Sequence, residues 1–268
     1  MTRPWRVWIG GVASVVLATT ATAWAHYPML LADRGSVDPG QPVTIEYAIG
    51  HPYMNDRYDA PRLRRVRVMA PRRSPRSITA DITTSTTPEG TRSWQVSYTP
   101  EREGDYVFSF HGEYTERPAR NIWDFAKVVI HCRGAQMGWE RPVGDPLEIV
   151  PLTRPYAIPV GTVFRGQVMH SDRRAGPGMF VEAETYTDVL PDPVPELAEY
   201  RWEQLTDPNG CFSIVLNKRG WWVLSVAEDG GPGNQGSMNR PVRRAVLWVF
   251  VGEWNDETDV RVLGARGG

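Results

Sequence analysis

The sequence predicts an all-β protein, two consecutive β-sandwich domains behind an export leader. Three observations predict it. Apolar and polar residues alternate with period two through most of the chain. Proline and glycine clusters separate the alternating runs, as turns require. No stretch repeats apolar residues with the 3.6-residue period of an amphipathic helix.

The first 25 residues read MTRPWRVWIGGVASVVLATTATAWA. Arg3 and Arg6 precede an apolar run from Val7 to Ala18, too short to span a bilayer as a helix, and small residues follow. This is the pattern of a secretory signal peptide. Two cut sites fit the A-x-A rule, one after Ala25 and one after Ala23. The first leaves 243 residues with 28 basic and 31 acidic side chains. That balance argues against nucleic acid as a partner. No later apolar run is long enough to cross a membrane, so the exported part is not expected to span one. Cys132 and Cys211 would reach an oxidising compartment, where either a disulfide or two buried thiols is compatible with their spacing.

The N-terminal domain is expected over 26–144. PVTIEYAI (42–49) puts Val43, Ile45, Tyr47 and Ile49 on one face. RRVRVMA (64–70) and SWQVSYT (93–99) alternate in the same way. GDYVFSFHGEY (104–114) and DFAKVVIHC (124–132) read as a hairpin with a long loop. The second domain is expected over 145–252, with a polar tail at 253–268. Its strand-bearing stretches are LEIVPL (147–152), leading to RPYAIPVGTVFRGQVMH (154–170), then GMFVEAETY (178–186), GCFSIVL (210–216), GWWVLSVA (220–227) and RAVLWVFV (244–251). In TDPNGCF (206–212), Asp207 can form an Asx turn, Pro208 presets φ, and Gly210 can take a positive φ. This turn resembles that of carboxypeptidase-regulatory-like, transthyretin-like sandwiches. Two immunoglobulin-like sandwiches of about 110 residues each fit the length. The proline-rich 187–202 and glycine-rich 228–241 segments are expected to be loops.

Several stretches together resemble a bacterial family. They are AHYPMLL after the leader, IGHPY, the junction GWERPVGDPLEIVPLTRPY (138–156), GWWVLSV and AVLWV. The family comprises periplasmic accessory proteins of nickel or cobalt uptake that accompany energy-coupling-factor type transporters. The resemblance implies a periplasmic protein, a membrane metal permease as partner, and metal-binding positions at His26 and His51. It also implies a histidine in the strand ahead of AKVVI. Here that strand reads NIWDF (121–125), and Asp124 is the oxygen donor that could stand in its place.

The residues themselves favour His26 as a ligand. A cut after Ala25 leaves its α-amine beside its imidazole, and both nitrogens can chelate one ion. The amine's ordinary pKa, about 7.7–8.0, lets a metal displace its proton near neutrality. One more histidine completes a three-nitrogen set. A cut after Ala23 instead places His26 third, and the amine, two amides and the imidazole form a planar four-nitrogen chelate. Either set suits Ni(II) or Cu(II); nickel or cobalt is the favoured ion and Cu(II) the alternative. His51 ends a strand before Pro52, which biases it towards extended backbone. His111 and Glu113 share a strand face and form a further candidate pair.

There is no G-x-S-x-G, no H-E-x-x-H and no plausible cysteine–histidine pair, so an enzyme is not expected. Two other readings stay open: a copper-binding histidine-brace protein or oxygenase, and a structural or adhesion module without metal. The seven arginines of RLRRVRVMAPRRSPR (62–76) could meet anionic headgroups, or simply deter pairing at an edge strand. Of Trp221 and Trp222, adjacent on one strand, one ring is expected inside and one outside.

Overall fold

A computed structural model describes residues 26–54, 56–116, 120–171, 173–228 and 241–252. The proposed leader, most of the glycine-rich loop and the polar tail lie outside the described residues. In chain order the first strands are β1 (Tyr27–Ala32), β2 (Ser36–Val37), β3 (Val43–His51), β4 (Asp56–Tyr58), β5 (Leu63–Met69) and β6 (Arg76–Ser77). Next come β7 (Ile82–Thr86), β8 (Arg92–Tyr98), β9 (Gly104–Glu116), β10 (Arg120–Cys132), β11 (Glu148–Pro151) and β12 (Thr162–His170). The last are β13 (Arg173–Arg174), β14 (Phe180–Thr185), β15 (Arg201–Leu205), β16 (Cys211–Leu216), β17 (Gly220–Ala227) and β18 (Val242–Val251). The fold is all-β and sandwich-like, as the alternation predicts. Among the described residues no helix is long and apolar enough to cross a membrane.

Three sheets form the layers. The first runs β1-β3-β8-β7, with β4 beside β3. The second is long, β15-β14-β17-β18-β10-β9-β5-β6. The third contains β11, β12, β13 and β16. The two halves therefore share one sheet, joined where β10 and β18 pair in parallel from Ile122↔Val242 to Val128↔Trp248. This seam explains the unbroken apolar runs of β17 and β18. Trp221, Val223, Val246, Trp248 and Phe250 pack into the N-terminal core. Their neighbours Trp222, Leu224, Ala245, Leu247 and Val249 pack into the C-terminal core. A strand buried on both faces favours apolar residues on both, and here only Ser225 and the ion-paired Arg244 interrupt the buried runs. The expectation for the tryptophan pair is corrected accordingly: both rings are buried, one in each core.

The junction segment covers the second face of β5, β9 and β10. Val143 and Tyr156 pack on Met69, Val107 and Val129. Asp145, fully buried, accepts hydrogen bonds from Arg65, Arg67 and Ser109. Lys127 donates to Glu148 at 2.8 Å, and Glu148 also accepts from the Val143 and Gly144 amides. Buried charges persist only when paired in this way. The arginine run does lie at the sheet's edge, since β6 with Arg76 is its last strand and pairs with β5 only at Arg67 and Val68, but Arg65 and Arg67 also clasp the domain junction. The TDPNGCF turn forms as expected. Asp207 Oδ1 accepts from the Asn209 and Cys211 amides at 2.8 Å each, and Gly210 has φ +72°. Cys132 and Cys211 are free thiols, the first buried beside Val37 and the second at the start of β16.

Candidate metal site

Antiparallel pairing brings the two leading histidines together. β1 pairs with β3 from Tyr27↔Gly50 onward, so His26 enters the sheet beside His51. The ring centroids lie 4.8 Å apart. β3 then turns through Pro52–Met54 into β4, which sets Tyr58 opposite Ile49. The Tyr58 ring stands 4.4 Å from His26 and 5.9 Å from His51. Gly50 permits this turn, because a Cβ there would collide with the backbone carbonyl of Asp56.

His51 Nε2 is buried and has no hydrogen-bond partner. A buried polar atom left unpaired is costly, and native sites of this kind often await a partner. Burial lowers the His51 pKa from the ordinary histidine range, the nearby His26 ring lowers it further, and Asp56 opposes both. A neutral imidazole is the form that binds a metal ion. Two imidazoles, one with an orphaned nitrogen, are donors of the kind that suits first-row transition-metal ions, without selecting one.

The second half of the chain buttresses the turn. Thr187 N donates to Pro52 O at 3.1 Å, and Tyr200 stacks on Tyr53 with centroids 3.9 Å apart. Tyr53 N donates to Glu184 Oε1 at 3.1 Å, and Tyr27 OH to Glu182 Oε2 at 3.3 Å. Burial pushes the Glu184 pKa up to about 7, against the stabilising Tyr53 amide and Arg201. Glu182, whose pKa burial also raises, pairs with Arg201 at 3.3 Å. One signal for this shell is legible in the chain: VEAET places both glutamates on one strand face. Tyr58 carried no such signal.

The other candidate donors lie elsewhere. His111 and Glu113 do share a face of β9, with Nε2 and Oε1 3.4 Å apart. That face belongs to the long sheet, on the Asp145 side, away from β1 and β3. His111 stacks on Phe125, burial lowers its pKa, and Glu113 accepts from Arg64 Nε at 2.9 Å. Asp124 is corrected as a ligand. Its two oxygens accept from Arg244 Nε at 2.7 Å and Nη2 at 2.9 Å, in a fully buried pair. Among the described residues no three His, Cys, Asp or Glu side chains group to hold a metal ion.

The family described as a domain of unknown function, DUF4198, matches residues 23–229. The chain belongs to the DUF4198 family. The match takes in His26, His51 and the junction. No curated protein matches this DUF4198 chain. Several solved structures resemble it. A DUF4785 family protein from Legionella pneumophila is 10% identical with a TM-score of 0.30, covering 75% of this chain and 52% of its own. Trypsin-activated alpha-2-macroglobulin from Escherichia coli is 14% identical with a TM-score of 0.27, covering 87% of this chain and 17% of its own. Dimeric latent PorU from Porphyromonas gingivalis is 9% identical with a TM-score of 0.24, covering 85% of this chain and 20% of its own. The chain thus spans about half the length of the Legionella protein and much less of the other two.

Proposed function

We propose that this DUF4198 chain is an exported, periplasmic metal-binding protein that captures nickel or cobalt and hands it to a membrane permease. The carrying observation is the approach of His26 and His51, with the buried His51 Nε2 unpartnered. Removal of the leader after Ala25 would add the His26 amine to the same spot, giving three nitrogens. His111, Glu113 and Asp124 play no part in this set. Titration calorimetry of the processed protein with Ni(II), Co(II) and Cu(II) tests the proposal. One ion per chain is expected, with binding lost in His26→Ala and in His51→Ala. No binding, or unchanged binding by His26→Ala, contradicts it.

The copper reading draws on Tyr58, a third ring beside both histidines, edge-on to His26 and tilted to His51. Three nitrogens in tetragonal array suit Cu(II) better than Co(II). Tight Cu(II) binding with negligible Ni(II) binding would favour that reading over nickel uptake.

A further inference from the structure

A groove of about 1080 Å³ opens at the far end of the N-terminal sandwich. Its walls include Arg72, Arg73 and Arg76 on one side and Arg102, Tyr98 and Tyr106 on the other. It lies well away from the proposed metal site. Tyr98 pairs with Val43 at the start of β3, whereas His51 ends that strand. Eight residues of extended chain put about 26 Å between them.

The groove is built rather than incidental. Arg73 N donates to Ala70 O at 3.1 Å, closing a turn with Pro71 and Arg72 at its centre. Arg72 has φ +57°. That third turn position ordinarily takes glycine, since other L-residues rarely adopt such a φ. An arginine held there points to a use for its side chain. Opposite, Tyr106 OH donates to Arg102 O at 3.1 Å and accepts from Arg102 N at 3.3 Å, fixing the facing loop. Gly104, with φ +120°, lets Pro71 pack directly against that loop. Arg76 lies 5.4 Å above the Tyr98 ring, and its Nη2 donates to Tyr98 OH.

Four arginines face two glutamates, Glu101 and Glu103, among the lining residues, so the groove is positive. The whole chain carries a net charge of only −1, so this positive charge is local and not a general property of the surface. Guanidinium forks match phosphate oxygens and hold them by charge-assisted hydrogen bonds. The Tyr98 ring, packed on Tyr106 and Phe108, braces the Arg76 guanidinium at the groove wall. We propose that this groove binds a phosphate ester through its phosphoryl group, held among the guanidiniums. The ester is either a phospholipid headgroup or a soluble molecule.

The test uses the full exported chain and two variants, Arg72→Gly and Arg76→Gln. Glycine suits the positive φ, so Arg72→Gly should hold or raise the melting temperature. One probe is vesicles of phosphatidylglycerol in phosphatidylcholine, against phosphatidylcholine alone. The other is glycerol 3-phosphate, against glycerol. Binding to the charged vesicles alone assigns a membrane headgroup; binding to glycerol 3-phosphate assigns a soluble ester. Either variant should bind roughly tenfold more weakly while remaining folded. Absence of binding to both phosphate probes, or undiminished binding by both folded variants, overturns the proposal.

Discussion

Replacing Arg244 with methionine tests the seam that joins the two halves of the chain. Arg244 on β18 and Asp124 on β10 are register partners across the parallel pairing. The guanidinium donates to both Asp124 oxygens and to Tyr114 OH, and lies 5.6 Å above the Tyr27 ring. Both partners are buried, with side-chain exposures of 3% and 0%. Arg244→Met would strand the Asp124 carboxylate inside the protein. Breaking a buried pair from one side costs about 3–5 kcal/mol. For a chain of this size that is a fall of roughly 6–20 °C in melting temperature. Asp124→Leu should cost a similar amount. The double variant should cost less than the sum of the singles, because no charge is left alone. Calorimetry or urea titration of all four proteins measures the cycle. Single variants that lose less than about 1 kcal/mol, or costs that simply add, would refute the reasoning.

Three further outcomes are expected. Glu184 has a folded pKa of about 7, raised from 4.5. The fold binds this proton more tightly than the unfolded chain does, so the Glu184 contribution is fully present below pH 4.5 and is lost as pH rises through about 7. Glu184→Gln keeps the acceptor for the Tyr53 amide, and should flatten that decline in a series of melts across pH. His51 runs the other way: its folded pKa is lowered, so stability is lost as pH falls below the histidine range, and His51→Gln should remove part of that loss. Gly50→Ala should destabilise by about 1–3 kcal/mol through its clash with the Asp56 carbonyl. It should also weaken metal binding, because the same turn carries His51.

Much of the fold was legible because period-two alternation names a strand and its buried face. PVTIEYAI and SWQVSYT form where the pattern put them, and so does the pairing of β9 with β10, but those strands run on to Glu116 and from Arg120, so the long loop expected between them is largely strand. The approach of His26 to His51 was foreseeable too, given an N-terminal strand antiparallel to β3. Pattern does not name partners, and this is where sequence reasoning stopped. Nothing in RAVLWVFV says that it pairs with DFAKVVI in a parallel register more than a hundred residues away. Continuous apolar runs signal burial on both faces, yet the two tryptophans were read by alternation alone. The charged residues were the hardest to place. Asp124 looked like a free donor and Arg65 and Arg67 like surface charges, because a buried ion pair is visible only once both partners are in position. Glu182 and Glu184 reach the β1–β3 end by contacts of this same long-range kind, whereas Tyr58 arrives locally, through the β3–β4 pairing.

The central claim is that processing frees an amine beside His26 and that this amine, with His26 and His51, holds one divalent ion. N-terminal sequencing of the exported protein, with bound metal quantified on the same sample, addresses it directly. A chain starting at His26 with close to one nickel, cobalt or copper ion per molecule is expected. A mature chain that starts downstream of His26, one that retains its leader, or a correctly trimmed chain that takes up no metal would contradict it.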